Sequence, residues 1–159
     1  MSDEQGPIDV EGLREQFLHK VFDEFELTLQ ADHLATYARS CGETSPRYID
    51  VSHEDFQAPP TIASSLQPRK RYPEGFPTFS GLGMDAGKAV FPHAPICAGK
   101  PITVRTHMQD IYTKTGRSGR MVFFVNRLTL TDRDGALLAE ADTSIVIRET
   151  PQTADDKSV

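Results

Sequence analysis

The sequence predicts an α+β domain built on an antiparallel sheet. Three long runs rich in β-branched and aromatic residues fill residues 97–148, and they follow a helix that ends in GETSPRY, residues 42–48. Consecutive strands joined by short turns form a meander, and its sheet leaves one face that must be covered. With 159 residues there is room for one domain with a full core, residues 8–149, and none for a second of ordinary size. Residues 1–7 and the polar tail 150–159 carry no apolar pattern and are expected to be disordered.

Each element has its own signal. Asp9 can cap a short helix carrying Leu13, Phe17 and Leu18. Residues 25–29 (FELTL) read as a strand. Asp32 is placed to cap a clearer helix in which Leu34, Tyr37, Ala38 and Cys41 fall on one face, and Gly42 ends it. Residues 51–60 are polar and proline-rich, an irregular loop, after which TIASSL (61–66) has a helical pattern that Pro68 stops within a turn or two. Residues 69–88 mix prolines and glycines and read as a long loop. Ile102, Val104, Thr106 and Met108 then alternate with polar neighbours, the period of a half-buried strand. A turn at residues 115–119 leads into MVFFVNRLTLT (121–131), and Asp134-Gly135 turns the chain into the last strand, 136–149.

Composition excludes several classes. A net charge of −6 disfavours nucleic acid as a partner, because binding a phosphate backbone needs an excess of Lys and Arg on one face. No apolar run approaches the ~18 residues of a membrane span, and residues 1–7 lack the charged-then-apolar order of an export signal, so a cytoplasmic protein is expected. Cys41 and Cys97 fit neither a metal spacing nor a disulfide framework and read as buried free thiols. His19, His33, His53 and His107 are scattered without ligand spacing, so no metal is expected.

The run from the helix with Tyr37 and Ala38 through GETSPRY to APPTIASS (58–65) resembles the MaoC-like hydratases and dehydratases of the hotdog superfamily. The resemblance is to the N-terminal domain type of fungal fatty-acid-synthase-like dehydratases. FPHAPICAGKPITV (91–104), with Pro95, Gly99 and Ile102, and GRSGRMVFFV (116–125) continue it, so that it covers roughly residues 10–148. The resemblance implies a hotdog fold of about five antiparallel strands wrapped around a central helix, here shortened, associated as a dimer or double-hotdog unit. It also implies reversible addition of water to an enoyl thioester of coenzyme A or acyl carrier protein. In that chemistry a carboxylate and an imidazole share the water, while helix N-terminal amides polarise the thioester oxygen.

The family motif Asp-x-Asn-Pro-x-His meets Glu43, Ser45, Pro46 and Tyr48 here. Glu43 is longer than Asp by one methylene, and Tyr48, with an ordinary pKa of about 10, is a poor proton shuttle near neutral pH. A solvated helix-end glutamate and a packed loop tyrosine are the alternative reading of the two. Asp85 and His93 supply a second carboxylate and imidazole; the alternative is a surface Asp in a glycine loop and a structural His at a dimer edge. The resemblance makes Thr61 and Ile62 the first amides of the central helix, facing a thioester oxygen or merely opening a buried helix. Arg69, Lys70 and Arg71 form the dense basic cluster, suited to coenzyme A phosphates or an acidic carrier protein, or else a solvated loop. Arg117 and Arg120 read as solvated turn residues. A helix cut short at Pro68 would vacate a groove for a long or bulky acyl chain. The lost dyad then suggests a subunit of an enoyl-thioester hydratase or (3R)-3-hydroxyacyl-thioester dehydratase that shapes the acyl site. Its partner would be another copy or a second hotdog chain with an intact Asp/His dyad. A self-sufficient hydro-lyase with a changed dyad and a non-catalytic thioester-binding protein are the alternatives.

Overall fold

The structure, a computed structural model, describes residues 6–117 and 119–149. Five strands, β1 Val21–Thr28, β2 Leu82–Pro92, β3 Pro101–Gly116, β4 Gly119–Thr131 and β5 Leu137–Arg148, form one sheet in the order β1-β3-β4-β5-β2. Every neighbouring pair is antiparallel. Helices α1 Val10–Phe17, α2 Ala31–Ser40 and α3 Pro46–Ile49 and a 3₁₀ helix, Pro60–Ser65, complete the domain. This is the expected hotdog fold. None of the described helices is long and apolar enough to cross a membrane. Of the segments expected to be disordered, 1–7 and 150–159, residues 1–5 and 150–159 lie outside the described residues.

Alternation builds the inner face of the sheet. Ile102, Val104, Thr106 and Met108 of β3 are buried, and a bulge between Met108 and Asp110 shifts the phase so that Ile111 is buried too. Opposite them Val122, Phe124, Asn126, Leu128 and Leu130 of β4 are buried. Two apolar clusters share these strands. At one end Leu34 of α2 and Ile62 and Ala63 of the 3₁₀ helix pack on Ile102, Val104, Leu128 and Leu130. At the other, Leu13 and Phe17 of α1 pack with Met108, Ile111, Val122 and Phe124. Burying each large side chain contributes roughly 1.5–3 kcal/mol, so these layers hold the helices to the sheet.

Several expectations need correction. β2 lies where a long loop was expected, because its residues gain ladder bonds from β5 and not from burial: all but Val90 are exposed. Helix α2 opens one residue before Asp32, with Gln30 at the cap and no side-chain cap bond; Asp32 sits in the first turn, where its charge favours the helix dipole. Gly42 does end it, at φ 82°, with the Glu43 and Gly42 amides returning to Ala38 and Arg39. Cys41 is exposed and Cys97 half-buried, so the two are not buried thiols. Arg120 is no solvated turn residue, since its guanidinium binds both carboxylate oxygens of Glu149 and the Ile8 carbonyl. Finally, the groove past the short helix is not vacated. Residues 69–81 strap across the inner face, and Tyr72, Phe76 and Phe79 pack into the second cluster, Phe76 edge-on to Phe17 and Phe124 at 5.1 and 5.6 Å. The strap ends at Gly81, where a Cβ would stand 2.7 Å from the Arg148 carbonyl oxygen.

Candidate functional site

The motif loop hangs between α2 and α3. Glu43 is half-buried and its amide closes the end of α2 on Ala38 at 3.0 Å. Ser45 precedes α3, with Pro46 at the first helical position, where a missing N–H costs nothing. Tyr48 is half-buried beneath the Arg47 guanidinium, 5.8 Å from its ring centre. Among the described residues no hydrogen bond joins Glu43 to Tyr48, so the two are not a proton-sharing pair.

Beside this loop the 3₁₀ helix presents its N-terminal end. Ile62 is buried and its amide is bonded to the Pro59 carbonyl at 2.9 Å, which fits the alternative that it opens a buried helix. Thr61 is exposed, and its carbonyl accepts the Tyr37 hydroxyl at 3.0 Å and the Ser64 hydroxyl at 2.8 Å. Burial pushes the Tyr37 phenol above its ordinary 10.0, so it acts as a neutral donor.

The basic cluster opens the strap. The Arg69 and Lys70 amides donate to one carboxylate oxygen of buried Asp23, at 2.6 and 3.3 Å, and Asn126 donates to the Arg71 carbonyl at 3.3 Å. The main chain is therefore fixed to the sheet while the three side chains reach the surface. Two of them rest on rings: Arg69 lies 4.8 Å over Phe25 and Arg71 5.9 Å over Tyr72.

Asp85 and His93 are not brought together. Both belong to the β2 stretch, Asp85 inside the strand and His93 just past its end, and the seven residues between them, in extended chain, span about 25 Å. The Asp85 carboxylate caps the amide of Gly87 at a bulge, at 2.9 Å. The imidazole of His93 has a different carboxylate: its Nε2 lies 3.1 Å from Glu140 Oε2. Glu140 also accepts from Arg127 at 3.3 Å, and Arg127 grips Asp142 through Nε and Nη2 at 2.7 and 2.8 Å. The hydrogen bond to Asp142, and then the charges of Asp142 and Glu140, hold the Arg127 guanidinium above its ordinary pKa. His93 lines a cleft of about 220 Å³ with Gln57, Pro60, Ala94, Pro95 and Leu138. Glu140 was not singled out from the sequence. Its signal there is slight: Glu140 and Asp142 alternate along a strand opposite Arg127.

The chain matches the family model described as the FAS1-like dehydratase domain region over residues 17–141. Among solved structures it is similar to a MaoC-like dehydratase from Phytophthora capsici, with a TM-score of 0.70 and 18% identity over 89% of this chain and 50% of that one. The chain thus spans about half the length of that protein. It is also similar to the ChsH1-ChsH2 complex from Mycobacterium tuberculosis, at TM-score 0.64 and 14% identity, covering 94% of this chain and 96% of that one. A third is the HadBC (3R-hydroxyacyl-ACP dehydratase) complex from the same organism, at 0.59 and 15%, covering 82% and 96%. At these identities the likeness establishes the fold. No curated protein sequence matches the chain.

Proposed function

The chain belongs to the FAS1-like dehydratase domain family and is a MaoC-like hotdog protein, and from that premise we propose that it is a subunit of an enoyl-thioester hydratase or (3R)-3-hydroxyacyl-thioester dehydratase. In this reading it shapes the acyl-binding site while a second hotdog subunit supplies the Asp/His dyad. One observation carries the proposal: the motif loop is present and well formed, yet its Glu43 and Tyr48 share no hydrogen bond, and Tyr48 stands where the family motif has its imidazole. The partner would add to the free edge of β2, which exposes Leu82, Met84 and Phe91. Two of the similar structures are heteromeric complexes by name, which supports a partner of the same fold. In the reaction the dyad takes one proton from water as its oxygen bonds to the β-carbon, and returns a proton to the α-carbon as the enolate collapses. Thr61 at the helix opening and the cations of residues 69–71 belong to the thioester and carrier side. The reaction needs no cofactor beyond the carrier of the thioester, and exposed Cys41 suits a reducing, cytoplasmic setting.

The test is turnover of crotonyl coenzyme A by the chain alone and with a dyad-bearing hotdog subunit. The pair should turn over at rates typical of enzymes, about 1–1000 per second, and the chain alone at far less. Full activity of the chain alone would refute the subunit role. It would favour a second reading, a self-sufficient hydro-lyase, for which His93 and Glu140 are the imidazole and carboxylate already in contact. His93→Gln should then abolish the activity.

A further inference from the structure

The cleft at His93 narrows the substrate class. It lies between the approach to the 3₁₀ helix, residues 57–60, and the turn after β2, residues 92–96. Its walls are Ala58, Pro60, Ala94, Pro95 and Leu138, with Gln57 and His93 as the polar groups. At about 220 Å³ it falls below the roughly 300–1,000 Å³ of sites that engulf a whole ligand, so it has room for only one end of a larger molecule. The other room for an acyl chain, past the short helix, is filled by Tyr72, Phe76 and Phe79.

The imidazole in this cleft is held, not loose. Its Nε2 meets Glu140, which is braced by Arg127, itself in a two-bond grip on Asp142 and 5.1 Å from the Phe91 ring centre. A carboxylate on one ring nitrogen favours the proton there, which leaves Nδ1 as an acceptor for a hydroxyl donor. A short apolar acyl end carrying a hydroxyl suits such a cleft. We propose that the cleft is the acyl site of this chain, that it selects short 3-hydroxyacyl thioesters, and that the substrate hydroxyl donates to His93 Nδ1, with Glu140 as the positioning residue. This inference rests on the thioester reading above and adds chain length and the recognising group.

The test measures binding of 3-hydroxybutyryl, butyryl and 3-hydroxydecanoyl coenzyme A, and of coenzyme A itself, to the full chain by calorimetry. 3-Hydroxybutyryl coenzyme A should bind at least tenfold tighter than the other three. Ala94→Leu, at an exposed position that faces the cleft, should weaken that binding at least tenfold with an unchanged melting temperature. His93→Gln should erase the preference over butyryl coenzyme A. Long-range ¹H–¹⁵N spectra of the His93 ring should show the Nε2–H tautomer, and Glu140→Gln should change that signature together with the preference. If the decanoyl ligand binds as well as the short one, or Ala94→Leu leaves affinity intact, the cleft is not the acyl site although the thioester reading stands. If no acyl thioester binds better than coenzyme A, alone or with a dyad-bearing partner, both fall.

Discussion

Replacing Asp23 with Ala tests how the strap is held. The carboxylate is 7% exposed on β1 and accepts the amides of Arg69 at 2.6 Å and Lys70 at 3.3 Å. A hydrogen bond to a charged acceptor contributes about 1.5–3 kcal/mol, and the longer of the two sits near the outer limit of useful geometry. Residues 69 and 70 are exposed, so water replaces part of what the amides lose. The net cost should be about 2–3 kcal/mol, with Asp23→Asn nearer 1 kcal/mol because one acceptor oxygen survives. In a domain of this size that lowers the melting temperature by about 4–12 °C. Urea unfolding should show a lower midpoint at unchanged slope, and hydrogen exchange should show the Arg69 and Lys70 amides losing protection ahead of the core. A loss under about 0.5 kcal/mol with protection intact would mean that the aromatic side chains alone hold the strap.

Phe76→Ala removes the ring that touches Phe17, Tyr72, Phe79 and Phe124, and should cost about 3 kcal/mol in the same unfolding assay. Changing Arg69, Lys70 and Arg71 together to Gln should weaken acyl coenzyme A binding at low salt and have less effect at high salt, because exposed charges are screened; unchanged affinity at low ionic strength would assign the cluster to ordinary surface. Glu in place of both Leu82 and Met84 should shift the sedimentation of the assembled protein toward the monomer without unfolding it, since both side chains are exposed on the β2 edge. The Tyr37 phenol, raised by burial, should titrate above the ordinary 10.0 in ultraviolet absorbance. Because its folded pKa lies above the unfolded 10.0, its stabilisation is complete below pH 10 and fades as pH rises through the folded value.

What could be read from the sequence follows burial. β3, β4 and β5 alternate because one face of each is buried, and period-2 patterning exists only under that constraint. β2 has no such face: Gly83, Gly87 and its alanines carry no period, and only pairing with β5 makes it a strand. Prolines 60 and 68 bracket the short helix, but the apolar pattern does not encode its 3₁₀ form, in which main-chain amides and the Ser64 and Ser65 hydroxyls bond carbonyls three residues back. His93 was visible as an imidazole and its partner was not. Glu140 lies 47 positions away, and the register that sets Phe91 opposite Glu140 is what delivers the contact.

The strap and the cleft bear on the same choice of substrate. A long acyl chain would have to enter the inner face past the 3₁₀ helix, displacing Tyr72, Phe76 and Phe79 from Phe17 and Phe124. The three rings are half-buried, so re-exposing them costs about 2–5 kcal/mol, half of the roughly 1.5–3 kcal/mol each that full burial contributes, before the Asp23 anchor is broken. That is about 30- to 5,000-fold in affinity, and the new chain must repay it by burying its own methylenes at about 0.8 kcal/mol apiece. About three to six buried methylenes only break even. A short acyl group in the His93 cleft meets no such barrier, because Ala58, Ala94 and Pro95 already stand apart around an open space. If the proposed acyl site is correct, the contacts that close this end of the inner face disfavour long thioesters relative to short ones, and the length at which binding recovers measures how firmly the strap is seated.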